Sequence, residues 1–234
     1  MNSYFSGFAM LTSIHIQYYI TDFLNNMIFV FDANWNLIMN RSFQKPANII
    51  TVGTSLYITS DSIISRTDRN LNVLSQYIAS GIVPQYRGIV YNSTNNVIYV
   101  VAHFTSTVHT FNLNPTLTSS LVVSPMSSYI YSISILNNQW YVGTRAGTIM
   151  VIFNNQITKQ FNACAGNSEF ISSILFDGFG KMATACDNRQ VYFYDSNGVN
   201  LLKSFLVSNN PLDIGFDSNL KFYVIAISKI EIYF

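Results

Sequence analysis

A short β-favouring segment centred on tyrosine recurs along this chain, and no other feature restricts its fold so strongly. It reads Tyr18-Tyr19-Ile20-Thr21, Leu56-Tyr57-Ile58-Thr59, Ile98-Tyr99-Val100-Val101, Trp140-Tyr141-Val142-Gly143, Lys181-Met182-Ala183-Thr184 and Phe222-Tyr223-Val224-Ile225. The landmark falls at 19, 57, 99, 141, 182 and 223, in steps of 38, 42, 42, 41 and 41. A period of this size marks a repeat architecture. About a dozen residues further on comes an alternating segment that usually ends in an aromatic, such as Met27 to Phe31, Val108 to Phe111 and Val191 to Tyr194. The second unit carries Ile63 to Arg66 there instead. Turn-forming residues follow, as in Asp32-Ala33-Asn34 and Asp195-Ser196-Asn197-Gly198. A short apolar segment precedes each landmark, for example Gly88-Ile89-Val90-Tyr91 and Ile174-Leu175-Phe176.

Apolar runs of this length, bounded by turn residues, read as antiparallel strands, four to a unit. No stretch has helical apolar spacing. A single four-stranded unit cannot bury both faces of its sheet, whereas units stacked radially can. The chain is therefore expected to be all-β: a single-domain, six-bladed β-propeller of four-stranded antiparallel blades. The expected blades cover 8–43, 47–78, 86–123, 130–162, 170–206 and 212–234. The sixth unit stops at its third strand, and Asn2-Ser3-Tyr4-Phe5-Ser6 resembles the outer-strand ends Arg41-Ser42-Phe43 and Lys203-Ser204-Phe205. Residues 1–6 are thus expected to supply the last outer strand and close the ring, removing a free edge.

The segment from Pro211 through Asp213, Phe216, Asp217 and Tyr223 to Val224 resembles the NHL repeat, in which a proline precedes the inner strand and an aspartate closes it. Gln190-Val191-Tyr192-Phe193-Tyr194-Asp195-Ser196-Asn197-Gly198 is similar to the third strand and turn of that repeat. The resemblance is sharp in blades five and six; blades two to four keep the spacing and lose many signature residues. No Gly-His or Trp-Asp pair of the WD type and no double glycine of the kelch type occurs. The resemblance implies a six-bladed propeller and no single activity, because such propellers serve as protein-binding, RNA-binding and enzymatic scaffolds.

Charge narrows the partners. The net charge is +1, and charged residues make up 10% of the chain, well below the roughly 25% of a typical soluble domain. No basic stripe exists, the densest spot being Arg66 to Arg69 with Asp68 inside it, so no nucleic-acid partner is expected. No apolar run approaches the roughly 18 residues that span a bilayer. Residues 1–17 lack a basic start and a cleavage site and read as part of the fold. Asn, Ser and Thr take the place of charges, a balance that suits an extracellular or cell-surface protein; an AT-rich genome would produce a similar bias.

In a propeller, the second-to-third-strand loops and the inter-blade crossovers share one rim. They bring Asp22, Asp61, His103, Arg145, Asp187 and Arg189 together with Lys45, Arg87, Glu169 and Asp213. Tyr86, Tyr129 and Phe170 fall where crossovers enter inner strands. Loops on a rigid scaffold commonly bind ligands, and aromatics anchor interfaces. The expected ligand-binding residues are Asp22, Asp61, Tyr86, Arg87, His103, Tyr129, Arg145, Asp187 and Arg189, and the expected ligand is a protein, peptide or glycan. The alternative is a hydrolase or lyase at the channel mouth using Asp22, Asp61, His103, Asp187 or Asp213. No cofactor is expected; Asp22, Asp61 and Asp187 either cap turns or converge on Ca²⁺. Of the three histidines, His15, His103 and His109, only His103 lies on this rim. No nucleophile elbow or zinc-binding helix motif occurs. Cys164 and Cys186 lie on the same face, either as a disulfide or as two free thiols. Sequons start at Asn40 and Asn92, of which Asn92, in a turn, is the expected glycan site if the protein is secreted.

Overall fold

A computed structural model describes residues 5–11, 17–80, 83–123, 129–164, 169–195, 200–216, 221–226 and 229–233. These residues form 23 strands in six antiparallel sheets, with no helix among them. Blade one holds β1 (Phe5–Leu11), β2 (Gln17–Asp22), β3 (Met27–Asp32) and β4 (Leu37–Ser42). Blade two holds β5 (Asn48–Val52), β6 (Ser55–Thr59), β7 (Ile63–Thr67) and β8 (Val73–Ile78). Blade three holds β9 (Tyr86–Asn92), β10 (Val97–Ala102), β11 (Thr107–Phe111) and β12 (Leu117–Val122). Blade four holds β13 (Ile130–Leu136), β14 (Gln139–Thr144), β15 (Thr148–Phe153) and β16 (Gln156–Asn162). Blade five holds β17 (Ile171–Phe176), β18 (Met182–Cys186), β19 (Gln190–Tyr194) and β20 (Leu201–Leu206). Blade six has β21 (Pro211–Phe216), β22 (Phe222–Ala226) and β23 (Lys229–Tyr233). The fold is a six-bladed β-propeller.

The tyrosine landmark is the second strand of each blade. It lies between two neighbouring blades, so it is covered on both faces: every residue of β6, β18 and β22 is buried. This explains why these segments are continuously apolar and do not alternate. The outer strands have one face toward solvent and carry mostly exposed residues. Between the third and outer strands of blades one and two lies the same turn, Asp-x-Asn-Trp/Leu-Asn. Asp32 Oδ1 accepts the Asn34 and Asn36 amides, and Asp68 Oδ1 those of Asn70 and Asn72. Trp35 and Leu71 follow at φ 64° and 62°, reaching back over the preceding blade.

Of residues 1–6, expected to provide the outer strand of blade six, Phe5 and Ser6 do not do so. Phe5 pairs with Asp22 at the start of β1, so Phe5 and Ser6 belong to the innermost strand of blade one, at the opposite radial end from an outer strand. Residues 1–4 lie outside the described residues. The ring closes instead by packing: β1 lies against β21 and β22, and Tyr18 and Ile20 cluster with Tyr223 and Ile225. Trp35 stacks on Tyr18 at 4.4 Å between ring centres.

Hydrogen bonds supplement this packing near the rim. Thr21 Oγ1 donates to the Ala47 carbonyl (3.3 Å), Thr59 Oγ1 to Arg87 (2.9 Å), Ser132 Oγ to Ile171 (3.0 Å) and Ser172 Oγ to Pro211 (2.7 Å). Each joins one blade to the next. Cys164, in the crossover from blade four to five, is bonded to Cys186 at the end of β18 as a disulfide. No helix among the described residues is long and apolar enough to cross a membrane.

Inner strands approach closely at Gly88, where an added Cβ would lie 2.9 Å from both Ile133 N and Ser132 Cα. Both are backbone atoms of the next blade and cannot rotate away. Gly88→Ala is expected to destabilise the fold by about 1–3 kcal/mol, the usual cost of overpacking, measured by urea denaturation against wild type.

Candidate binding rim

Five of the six inner strands carry a register shift near their rim end. It falls between Phe5 and Gly7 in β1, opposite Val100 to Ala102 in β9, and between Ile130 and Ser132, Ile171 and Ser173, and Pro211 and Asp213 in β13, β17 and β21. A bulge re-aims the extra residue. In β9, β13, β17 and β21 it delivers Arg87, Tyr131, Ser172 and Leu212 to the mouth of the axial channel, where they surround a small cavity with Ala47 and Asn48. Below it a cavity of about 180 Å³ follows the channel, lined by polar side chains such as Asn48, Ser134 and Asp213 and by isoleucines of the inner strands.

The Arg87 guanidinium lies 4.6 Å from the Phe23 ring centre and 5.8 Å from that of Tyr131. Among the described residues its one side-chain hydrogen bond is to Gln85 Oε1 at 3.3 Å, and its Nε is buried without a partner. No carboxylate among the described residues pairs with it. From Tyr131 the aromatic surface continues to Phe170 at 4.9 Å and His103 at 5.3 Å. His103 in turn contacts Tyr129 and Phe104, both at 5.1 Å. Tyr129 is 42% exposed and Phe104 48%. Among the described residues the rim therefore carries a run of rings from Phe104 and Tyr129 through His103 and Tyr131 to Phe170, with the Arg87 guanidinium between Tyr131 and Phe23.

Other expected site residues are occupied structurally. Asp22 is fully buried, and its carboxylate accepts the Asn25 backbone and side-chain amides at 3.0 and 2.9 Å: it caps the turn. Tyr86 is also fully buried and is not a rim residue. Its hydroxyl meets His109 Nδ1 at 3.0 Å and its ring packs on Phe111, because the bulge gives the outward direction to Arg87. Burial raises the Tyr86 hydroxyl well above its ordinary pKa. Asp61 pairs with Lys45 at 2.9 Å, and a half-exposed pair of this kind contributes little stability. Asp213 Oδ1 accepts from Ser173 Oγ at 2.6 Å.

Asp187 is half-buried. Burial raises its carboxyl, the Phe170 backbone bond and Arg145 opposing, and its Oδ1 has no partner among the described residues. Arg145 and Arg189 are exposed at the tips of their loops. Among the described residues no three His, Cys, Asp or Glu side chains converge as metal ligands, so Asp22, Asp61 and Asp187 are not brought together. His15 lies outside the described residues. Asn92, expected to be the likelier sequon, is 5% exposed and its Oδ1 binds the amides of Thr94 and Asn95. A glycan needs a free Nδ2, which exposed Asn40 offers better.

Sequence reasoning missed Phe23, Phe104 and Tyr131. Phe23 and Phe104 directly follow Asp22 and His103, so the loop position was visible. Tyr131 depends on a bulge, which leaves no mark in a sequence pattern.

In the comparisons with known proteins, no family model and no curated protein matches the chain. Its fold is similar to the WD40 β-propeller domain of Doa1, with a TM-score of 0.75 and 9% identity over 97% of this chain and 78% of that one.

His103 yields a testable consequence. Its Nδ1 lies 2.8 Å from the Ile130 carbonyl, which can only accept, so Nδ1 carries the proton. Burial is the main cause that lowers its pKa below 6.5; the Ile130 bond opposes this, while Arg87 and Arg145 reinforce it. The unfolded chain therefore binds the proton more readily. The stabilisation is present above pH 6.5 and lost as pH falls through the depressed folded value. His103→Gln is expected to flatten the fall in unfolding free energy between pH 7.5 and 5.5, read by urea titration at each pH. His109, lowered by burial alone, supplies the slope that remains.

Proposed function

We propose that this propeller is a binding module whose rim takes a protein or peptide ligand through a carboxylate. The observation that carries the reading is Arg87, a guanidinium flanked by Phe23 and Tyr131 and facing no acid. Arg87 is half-buried with its Nε enclosed; a partly desolvated cation is costly unless a partner supplies the charge, and carboxylates meet guanidinium with strong charge-assisted bonds. The exposed rings of Phe104 and Tyr129 give such a ligand an apolar anchor. The likeness to a WD40 domain supports protein partners, since propellers commonly mediate protein interaction. The NHL-like repeats of blades five and six fit the same role. The Cys164–Cys186 bond favours an oxidising compartment, in line with the expected extracellular or cell-surface setting. The hydrolase or lyase reading has less support, because Asp22, Asp61, His103 and Asp213 are engaged within the fold.

A peptide array sampling acidic and neutral sequences tests this. Acidic peptides with an adjacent aromatic or aliphatic residue are expected to bind best, and raised salt to weaken them. Arg87→Ala should weaken the selected peptides by about 10- to 100-fold, the worth of a hydrogen bond to a charged group, with no fall in the melting temperature of the free protein. Equal binding by wild type and Arg87→Ala, or no preference for acidic peptides, overturns the reading.

A further inference from the structure

The end of the propeller opposite the rim carries a cavity of its own. The β9–β10 hairpin of blade three and the β13–β14 hairpin of blade four turn there side by side, and the space between them is about 530 Å³, within the range of small-ligand sites. Asn92, Ser93 and Thr94 line it from blade three, with Tyr91 beside them, and Asn137 and Asn138 line it from blade four. Val90 and Ile135, on the inner strands, add an apolar patch. No lining residue carries a charge.

The donor that this cavity holds is a buried one. Asn92 is 5% exposed, and its Oδ1 accepts the Thr94 and Asn95 amides at 2.9 and 3.4 Å. Those two bonds fix the side chain and leave both Nδ2 hydrogens for other partners. Across the cavity Nδ2 meets only Asn138 Oδ1, at 3.5 Å, beyond the roughly 2.7–3.2 Å of a good N–H···O bond. A buried donor short of acceptors is costly. Asn137 and Asn138 stand at φ 50° and 60°, the two left-handed positions of a tight hairpin turn, so their amides are held at the mouth by the backbone. Among the described residues the side chains of Ser93, Thr94 and Asn137 make no hydrogen bond within the protein and are exposed.

We propose that this cavity binds a neutral pyranose unit of a glycan. An amide side chain offers donors and an acceptor side by side, which matches neighbouring sugar hydroxyls that each donate and accept. A ligand oxygen set between Asn92 and Asn138 takes the Nδ2 hydrogens that Asn138 reaches poorly. Val90 and Ile135 meet the C–H face of the ring. The uncharged lining gives a phosphate, a carboxylate or an ammonium group no charge-assisted partner. The site is distinct from the rim, since Asn92 and Arg87 lie at opposite ends of β9. The sequon asparagine Asn92 is in this arrangement a donor to a bound sugar.

The test titrates the full chain, labelled with ¹⁵N, with the methyl glycosides of glucose, galactose, mannose and N-acetylglucosamine. At least one is expected to saturate with an affinity of about millimolar, usual for a ligand of this size, and to shift the side-chain amide resonances of Asn92, Asn137 and Asn138. Asn138→Gly removes one amide and leaves an Asn-Gly pair, the preferred sequence for this turn; it should weaken the sugar roughly tenfold or more. Asn92→Asp keeps the oxygen that holds the Thr94 and Asn95 amides and loses the donor, with the same result expected. Absence of saturable binding by all four sugars, shifts confined to other residues, or equal binding by wild type and Asn138→Gly overturns the proposal. Tighter binding of glucuronic acid than of glucose also overturns it, as does displacement of the sugar by an acidic peptide that binds the rim. Asn138→Gly keeps the test decisive should Asn92→Asp fail to fold.

Discussion

Every blade depends on its neighbours to bury its second strand. β6, β18 and β22 have no exposed residue, yet each belongs to a sheet only three or four strands wide that has no hydrophobic layer of its own. Burial of a tyrosine or isoleucine on such a strand is therefore a property of two blades at once. At about 25 cal/mol per Å² of apolar surface removed from water, the largest stabilising term lies between sheets, and the hydrogen-bonded ladders within them mainly prevent a desolvation penalty. The bonds from Thr21, Thr59, Ser132 and Ser172 to the next blade set the azimuth at which the blades meet. Polar bonds of that kind are directional, whereas apolar contact alone would let the sheets slide.

This dependence is why the architecture was legible in the sequence. A strand covered on both faces must be apolar without alternation, so its signature repeats wherever a blade repeats. Turns were legible for a separate reason: Asp32 and Asp68 bind amides two and four residues on, a local arrangement encoded by a few adjacent residues. Closure of the ring was not legible in the same way. Phe5-Ser6 resembles other outer-strand ends in composition, but strand membership is decided by pairing with Asp22, and pairing is a long-range property.

The rim was half legible for a related reason. Topology alone placed Arg87, His103, Tyr129, Arg145, Asp187 and Arg189 on one face, and Arg145 and Arg189 are indeed exposed there. What a loop position cannot reveal is whether a side chain looks outward or satisfies its own turn. Asp22 and Asp61 occupy similar loop positions, yet one caps a turn beneath Phe23 and the other pairs with Lys45. Tyr86 and Arg87 are adjacent, and the bulge sends one into the core and the other to the channel mouth. Backbone irregularity thus decides which of two neighbouring residues faces the channel mouth, and a periodic pattern carries no trace of it.

The seam between blades six and one is, like that between blades five and six, built largely from rings. Tyr18, Trp35 and Tyr223 fill it with rings, Trp35 lying 5.6 Å from Tyr223 and 4.4 Å from Tyr18. Aromatic pairs add about 0.5–1.5 kcal/mol each beyond their area, which holds neighbouring sheets together without a shared strand. Rings also tolerate small shifts along their planes better than a hydrogen-bonded ladder does, since stacking energy varies gently with offset whereas a strand bond is lost with misalignment. The seam can therefore stay closed without a strand shared between blades six and one.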